Sequence, residues 1–237
     1  EIGSGLVGSE MCIRDRLNTV LEDDTEPKVP LSPAQEIAFL SFVQSDTTYR
    51  KYYDELVILL GTGLRISELC GLTETDIDLE KRLINVDHQL TKISGVGYHV
   101  DPPKTKSGIR QIPMSSKVYK AFKRVLENRR GAKPLDVDGY KNFLFLNQNG
   151  LPHVAISYDA IFRRLVEKYN SSHKEPLPKV MTPHTLRHTF CTNLANAGMN
   201  PKALQYIMGH SDISMTLNYY AHATSDSARA EMERLIV

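Results

Sequence analysis

The hydrophobic and polar pattern from residue 31 onward is mainly that of helices. Ser32, Pro33 and Gln35 form a helix start, in which the serine caps, the proline suits the first turn and the glutamine completes a capping box. A second helix, about YRKYYDELVILLGTG, is predicted to end at Gly63, as a left-handed cap would. A short helix, about ISELCGL, follows. Further helices are predicted over residues 115–130, 154–170, 182–197, 200–208, 211–220 and 225–236.

Three segments in the middle of the chain have a different pattern, rich in β-branched residues. They are RLINVDHQLTK, YHVDPP and GIRQIPM, separated by the turn signals SGVG and KTKSG. They predict a small antiparallel sheet of three strands. FLFL, at 143–146, is a short apolar strand or a core segment. Because no repeat, alternating βαβ pattern or nucleotide-type glycine motif is present, the predicted fold is mainly α with a small three-stranded antiparallel sheet.

The ends of the chain differ from its centre. Residues 1–16, EIGSGLVGSEMCIRDR, are aperiodic, lack a starting methionine and are similar to translated sequencing adaptor, so we expect them to be non-native. We also expect the natural N-terminal part to be missing. Residues 17–30 contain the acidic, proline-containing stretch LEDDTEPKVP and are predicted to be a linker. Residues 31–237 are predicted to form one domain.

Composition places the chain among ordinary globular proteins. Its 237 residues are 41% hydrophobic and 24% charged, which is enough apolar material for one large domain. No apolar run approaches the length of about 18 to 20 residues that spans a bilayer, and no signal peptide is recognisable. We therefore expect a soluble, cytoplasmic protein without a membrane partner. Cys12, Cys70 and Cys191 are odd in number and far apart, which argues against disulfides and cysteine-rich zinc sites.

Charge is balanced overall but concentrated locally. The net charge of +1 gives no general signal for nucleic acid. The segment from Pro102 to Lys133, however, contains one acidic residue, Glu127, and many basic ones. The basic residues are Lys104, Lys106, Arg110, Lys117, Lys120, Lys123, Arg124, Arg129, Arg130 and Lys133. This segment is interpreted either as a nucleic-acid contact or as a solvated helix face with a charged hairpin.

The stretch TPHTLRHTF places three polar groups on one helix face. His184, Arg187 and His188 stand at i, i+3 and i+4. Zinc hydrolases use the same histidine spacing, but there a glutamate base follows the first histidine, whereas here Thr185 follows it. The fixed charge of Arg187 also disfavours a cation. We therefore expect no metal, an anion at His184 and Arg187, and a packing role for His188.

Three further features are weak singly and specific together. Arg65 follows a helix-ending Gly-Thr-Gly, His210 follows Gly209 with two tyrosines nine and ten residues later, and lysines lie on the predicted hairpin. In this order the sequence resembles the tyrosine recombinases of the phage integrase superfamily, especially integrases of conjugative transposons. The resemblance covers about residues 31–237. The motifs that carry it are GTGLRISEL, PKTKSGIRQIP, HTLRH and GHSDISMTLNYY.

The resemblance implies the fold of a recombinase catalytic domain and a set of catalytic residues. Tyr219 is the implied nucleophile by the family's nine-residue interval, and Tyr220 is its less favoured neighbour. The hairpin lysine is Lys104, with Lys106 as the alternative. Phosphate neutralisation, leaving-group protonation and nucleophile activation thus fall to Arg65, Lys104, His184, Arg187, His210 and Tyr219.

The activity implied by the resemblance is cleavage and rejoining of DNA through a 3′-phosphotyrosyl intermediate, which integrates and excises a mobile element without metal, ATP or another cofactor. The implied partners are double-stranded DNA, a homo-tetramer assembled on it, and an excisionase or other DNA-bending protein. The helix at about 225–236 is expected to be exchanged with a neighbouring protomer. Two alternatives stay open: a type IB topoisomerase-like nicking and closing enzyme, and a catalytically inactive DNA-binding module.

Basic residues outside the catalytic set are expected to follow the DNA backbone without reading bases. These predicted DNA contacts are Lys106, Arg110, Lys117 and Lys120. Glu68, one turn after Arg65, is interpreted as an orienting partner for a buried cation.

Overall fold

The computed structural model describes residues 29–128, 135–220 and 232–233. The predicted non-native segment, most of the predicted linker, Arg129, Arg130, Lys133 and most of the predicted helix at 225–236 lie outside these residues.

Helices make up most of the described chain. The α-helices are α1 (Pro33–Ser45), α2 (Tyr53–Thr62), α3 (Ile66–Gly71), α4 (Ser116–Asn128), α5 (Ala155–Ser172), α6 (Pro183–Asn196), α7 (Pro201–Met208) and α8 (Ser214–Leu217). Single 3-10 turns occur at Arg50–Tyr52, Glu74–Asp76, Lys106–Gly108 and Asn218–Tyr220. The predicted helix at 211–220 is thus shorter than expected, and it continues as the last of these turns.

Two helix ends follow directly from the sequence. Ser32 caps α1, and the Gln35 side chain bonds back to the Ser32 backbone, so the predicted capping box is confirmed. α2 ends at Gly63, whose φ of 64° is left-handed. A Cβ at Gly63 would lie 2.4 Å from Cδ1 of Phe190 and 2.9 Å from Sδ of Met208. Glycine therefore lets the end of α2 pack directly against α6 and α7.

The strands differ from the single predicted sheet. β1 (Ile77–Asp78), β2 (Leu83–Val86) and β5 (Arg110–Pro113) form an antiparallel sheet in the order β1-β2-β5. β3 (Gln89–Ile93) and β4 (Gly97–Asp101) form a separate antiparallel hairpin. A small antiparallel sheet is present as predicted, but the prediction that all three segments pair in one sheet was wrong.

The break between the two sheets has a physical cause at His88. This residue is buried, its Nε2 donates to the Gly71 carbonyl oxygen at 2.8 Å, and its Nδ1 lies 2.5 Å from Oδ1 of Asp87. The predicted continuous strand at 82–92 is therefore interrupted after β2. β3 then approaches α3 so closely that a Cβ at Gly71 would lie 3.0 Å from the backbone nitrogen of Leu90.

The main core surrounds α2, whose residues Ile58 and Leu59 are fully buried. Helices α4 and α6 both pack against it. Phe143, Leu144 and Phe145 are buried. Phe143 also forms an isolated antiparallel β-bridge with Thr73. FLFL is accordingly a core segment, one of the two interpretations given for it.

A second, smaller core lies between α6, α7 and the last turn. It consists of Phe190, Cys191, Ala195, Leu204 and Met208, with Tyr219 and Tyr220 packed against it. Cys70 and Cys191 are buried free thiols, and burial raises the pKa of Cys191 to about 12. In the part of the chain that the structure describes, none of the helices combines the length and apolarity that crossing a membrane requires.

Candidate active site

Two arginines from distant parts of the sequence meet at the C-terminus of α7. Arg65, directly before α3, donates from Nη2 to the Gly209 carbonyl oxygen at 3.2 Å. Arg187, in the second turn of α6, donates from Nη2 to the Met208 carbonyl oxygen at 2.5 Å and from Nη1 to that of Gly63 at 2.6 Å. The last carbonyls of a helix lack helical partners, so the guanidinium groups satisfy them. Both predicted arginines are therefore held at adjacent backbone positions.

Glu68 joins this pair to a third arginine. Its carboxylate accepts from Arg65 Nη1 at 2.8 Å and from Nη1 and Nη2 of Arg110 at 3.0 and 2.9 Å. Burial would raise the pKa of Glu68, but the bonds and charges of Arg110 and Arg65 hold it below its ordinary value. The interpretation of Glu68 as a partner of a buried cation agrees with these contacts.

Arg110 does not have the position of a DNA contact. Its side chain is 0% exposed, and besides Glu68 it donates to the carbonyl oxygens of Ile207 at 2.7 Å and Gly108 at 2.9 Å. Its donors are therefore engaged inside the protein, an arrangement that favours a structural position over the expected contact with the DNA backbone. The sequence held a signal: in β5, Arg110 and Ile112 alternate with exposed residues and share the buried face.

Lys104 lies on a loop next to Arg65. Gly108 packs on the start of this loop, since a Cβ there would lie 2.3 Å from Cβ of Pro103. The loop borders a cleft of about 380 Å³ whose lining includes Arg65, Lys104, Gly209 and Met215. Lys106 is exposed and is absent from the residues that line this cleft.

His210 is the buried histidine of the site. It follows the left-handed Gly209 directly, and its Nδ1 lies 2.9 Å from Oγ1 of Thr216. Burial, the charge of Arg187 and other neighbours, His184 among them, lower the pKa of His210 to about 4. His210 is thus neutral near pH 7. His184 is exposed at the start of α6.

The two tyrosines differ in what their side chains contact. Tyr220 donates its hydroxyl to the Met199 carbonyl oxygen at 2.5 Å. Tyr219 packs against the ring of His188, with centroids 4.8 Å apart, and lines a cleft of about 460 Å³ with His188 and Met215. Met215 borders this cleft and the one beside Lys104, so the two adjoin. Burial raises the pKa of Tyr219 above its ordinary value, so its hydroxyl is protonated at neutral pH.

The predicted positions thus assemble into one region, and its chemistry favours an anion. Arg65 and Arg110 are paired with the Glu68 carboxylate, and Arg187 is a third guanidinium group nearby, so these four side chains carry a formal charge of +2. Burial and the neighbouring Arg65 lower the pKa of Arg187 to about 10, so it stays charged at neutral pH. A partly exposed arginine beside a second, buried one suits the oxygens of a phosphate.

The described residues are less suited to binding a metal cation than an anion. The one group of possible metal ligands among them is Asp76, Asp87 and His88, not the histidines of α6. Nε2 of His88 already donates to a carbonyl oxygen, so this nitrogen has no lone pair for a metal in the present arrangement.

Residues 31–226 match the model of the phage integrase family. The chain belongs to this family. It is 59% identical over 220 residues to the transposase from transposon Tn916 of Enterococcus faecalis, an alignment that covers 93% of this chain and 54% of the transposase. It is 32% identical over 175 residues to tyrosine recombinase XerC of Bacillus pumilus, which covers 73% of this chain and 50% of XerC. The chain therefore spans about half the length of these curated relatives.

Solved structures of an integrase and of a recombinase share the fold. The Tn1549 transposon integrase in complex with a circular intermediate DNA has a TM-score of 0.88 and 65% identity, covering 95% of this chain and 74% of that one. The XerA recombinase has a TM-score of 0.61 and 26% identity, covering 87% of this chain and 64% of that one. The family and the fold class expected from the sequence are confirmed.

Proposed function

We propose that this chain is the catalytic part of a site-specific DNA recombinase, which cleaves and rejoins DNA to integrate and excise a mobile element. The observation that carries the proposal is the convergence of Arg65 and Arg187 on adjacent carbonyls beside Lys104, His210 and Tyr219. The relatives named above include a transposon transposase and a transposon integrase solved in complex with a circular intermediate DNA, which supports a DNA substrate.

The first step would be attack by the Tyr219 hydroxyl oxygen on the scissile phosphorus. The bond from phosphorus to the 5′-oxygen breaks as a 3′-phosphotyrosyl bond forms. Arg65 and Arg187 stabilise the charge that develops on the non-bridging oxygens, with His184 as a further hydrogen-bond donor. The tyrosine must lose a proton, and His210 is proposed to orient the hydroxyl or to receive that proton as the bond to phosphorus forms. A loop lysine donates a proton to the leaving oxygen. A 5′-hydroxyl from a partner strand would reverse these steps.

The contacts favour one residue in each ambiguous pair. Tyr219 borders the cleft next to the arginines, whereas the Tyr220 hydroxyl is bonded to a backbone carbonyl. Lys104 lines the cleft that holds Arg65, and Lys106 does not. These arrangements support Tyr219 as nucleophile and Lys104 as general acid.

The remaining partners are part of the same proposal. Lys106, Lys117 and Lys120 are exposed and are proposed to follow the phosphate backbone. We expect the chain to act as a homo-tetramer on DNA, with an excisionase or another DNA-bending protein setting direction. The helix at about 225–236 would be exchanged between protomers. Because the substrate is DNA, the expected location is the cytoplasm.

The decisive experiment uses a nicked duplex from which the cleaved end diffuses away, trapping the covalent adduct. The natural chain and its Tyr220→Phe variant are expected to form the adduct, and Tyr219→Phe is expected to form none. An adduct that persists in Tyr219→Phe would overturn the nucleophile assignment. Absence of an adduct in the natural chain would favour an inactive DNA-binding module.

A second assay separates recombination from relaxation. Duplexes carrying the transposon-type end sequences should give joint products of two parental strands. Relaxation of supercoiled plasmid without joint products would instead favour the topoisomerase-like alternative.

A further inference from the structure

The Arg110 side chain donates four hydrogen bonds near the site, and the proposed chemistry gives it no direct role. Its guanidinium is completely buried and reaches three elements at once. Nη1 and Nη2 donate to the Glu68 carboxylate, Nη1 also to the Gly108 carbonyl oxygen, and Nε to that of Ile207. A planar guanidinium can make such a fan of bonds, whereas a lysine ammonium cannot.

Each of these bonds ends at a residue that lies next to one or more of the proposed catalytic groups. Glu68 holds Arg65 through Nη1 at 2.8 Å and through its backbone nitrogen at 2.8 Å. Gly108 ends the loop that carries Lys104 and Lys106. Ile207 lies in the last turn of α7, directly before the carbonyls that hold both site arginines.

The packing of two glycines keeps this junction narrow. Gly108 sits against Pro103, where a Cβ would approach to 2.3 Å, so the two ends of the lysine loop touch. A Cβ on Gly209 would lie 3.1 Å from Nη1 of Arg110 and 3.1 Å from the carbonyl oxygen of Ser107. The loop, Arg110 and the end of α7 therefore meet without intervening space.

We propose that Arg110 is a positioning residue that fixes the lysine loop, and with it the general acid, relative to Arg65. The inference rests on the proposed function. Loss of the fan of bonds would release Gly108, whereas Arg65 would keep its own bonds to Glu68 and to the Gly209 carbonyl. The defect should therefore fall on protonation of the leaving group and spare stabilisation of the phosphate.

A purely structural role makes a different prediction. Loss of one partner of a buried ion pair destabilises a fold strongly, so a role in the fold alone would also make the protein sensitive to changes at Arg110. If Arg110 served only the fold, its loss would reduce every step of the reaction through a smaller folded fraction.

The test compares two nicked duplexes, one with the natural 5′-oxygen and one with a sulfur at that bridging position. A thiolate leaves without protonation, so the sulfur duplex does not need the general acid. Arg110→Lys keeps the positive charge but cannot make the same set of hydrogen bonds to Glu68, Gly108 and Ile207. We expect its cleavage rate to fall about 100-fold on the oxygen duplex and by less than about tenfold on the sulfur duplex. Arg124→Lys, which alters an arginine paired with Asp54 elsewhere in the fold, should leave the ratio of the two rates unchanged.

A second variant reaches the same loop without touching Arg110. Gly108→Ala would push the loop away from Pro103, and the same selective rescue by sulfur is expected. Thermal unfolding of each variant reports its folded fraction. If Arg110→Lys fails to fold, Gly108→Ala alone tests whether the position of the lysine loop controls protonation of the leaving group.

Three results would overturn the inference. They are equal losses on both duplexes in the folded Arg110→Lys protein, no loss on either, or a Gly108→Ala defect that sulfur does not relieve. In each of these cases the natural chain still forms its adduct, so the proposed function stands. A natural chain that forms no adduct with either duplex overturns the proposed function instead, and the inference with it.

Discussion

Glu55 lies in the first turn of α2 as a buried acid outside the site. The Tyr158 hydroxyl donates to its Oε2 at 2.6 Å, which lowers its pKa less than burial raises it. The resulting pKa is about 7, against an ordinary 4.5. The perturbation is Glu55→Gln, which keeps an oxygen for Tyr158 and removes the ionisation.

The sign and size of the effect follow from proton linkage. Below pH 4.5 the carboxyl of Glu55 is neutral in both states, and between pH 4.5 and 7 it ionises first in the unfolded chain. The unfolded state then binds fewer protons, so the native chain loses stability as pH rises through this window. A shift of 2.5 units, from 4.5 to about 7, corresponds to about 3.4 kcal/mol at 1.36 kcal/mol per unit.

Urea unfolding at pH 4.5 and pH 8 measures this difference. From pH 4.5 to pH 8, the free energy of unfolding of Glu55→Gln should rise by about 3 kcal/mol relative to that of the natural chain. Other titrating groups are present in both proteins and cancel. Glu127→Gln, at an exposed position, is the matched control and should follow the natural chain. If the Glu55→Gln and natural curves run parallel, the burial argument for Glu55 is refuted.

Three further changes test the site and its surroundings. Gly63→Ala should cost about 2 to 5 kcal/mol in thermal unfolding, because a side chain at φ 64° also meets Phe190, and an unchanged melting temperature would contradict this. His210 is neutral in the folded protein, so the free energy of unfolding measured in urea should fall as pH decreases from 6.5 to about 4. The His210→Gln variant should lose less stability over this range, and an equally steep decrease in the variant would contradict the role of His210. Lys120→Ala should make the negative slope of log DNA affinity against log salt concentration shallower by about 0.9. An unchanged slope would show that Lys120 does not contact a phosphate.

Local rules predicted most of the helices. The cap at Ser32 and the left-handed end at Gly63 are encoded within a few residues, so the sequence alone specifies them. The spacing of His184 and Arg187 on one helix face likewise needs only helical geometry. Assembly of these residues with Arg65 came from the family resemblance, because no local pattern specifies contacts between residues 122 positions apart.

The differences from expectation arose where tertiary contacts override local pattern. The β-branched run at 82–92 has no turn signal, and the buried ring of His88 breaks it only because α3 offers the Gly71 carbonyl. Arg110 was placed on the DNA because its segment is basic, whereas Glu68, forty-two residues away, draws it inside. Charge composition describes a segment, but burial is decided residue by residue.

The adjacent carbonyls of Met208 and Gly209 have a consequence for the entropy of binding. A free arginine side chain carries about 2 kcal/mol of rotamer entropy, which is lost when its guanidinium is fixed. In this protein Arg65 and Arg187 are already fixed by those carbonyls, so much of that loss has occurred during folding. A phosphate arriving at the site would exchange a neutral acceptor for a charged one, with stronger hydrogen bonds. Its oxygens would meet donors that are ordered before the DNA arrives.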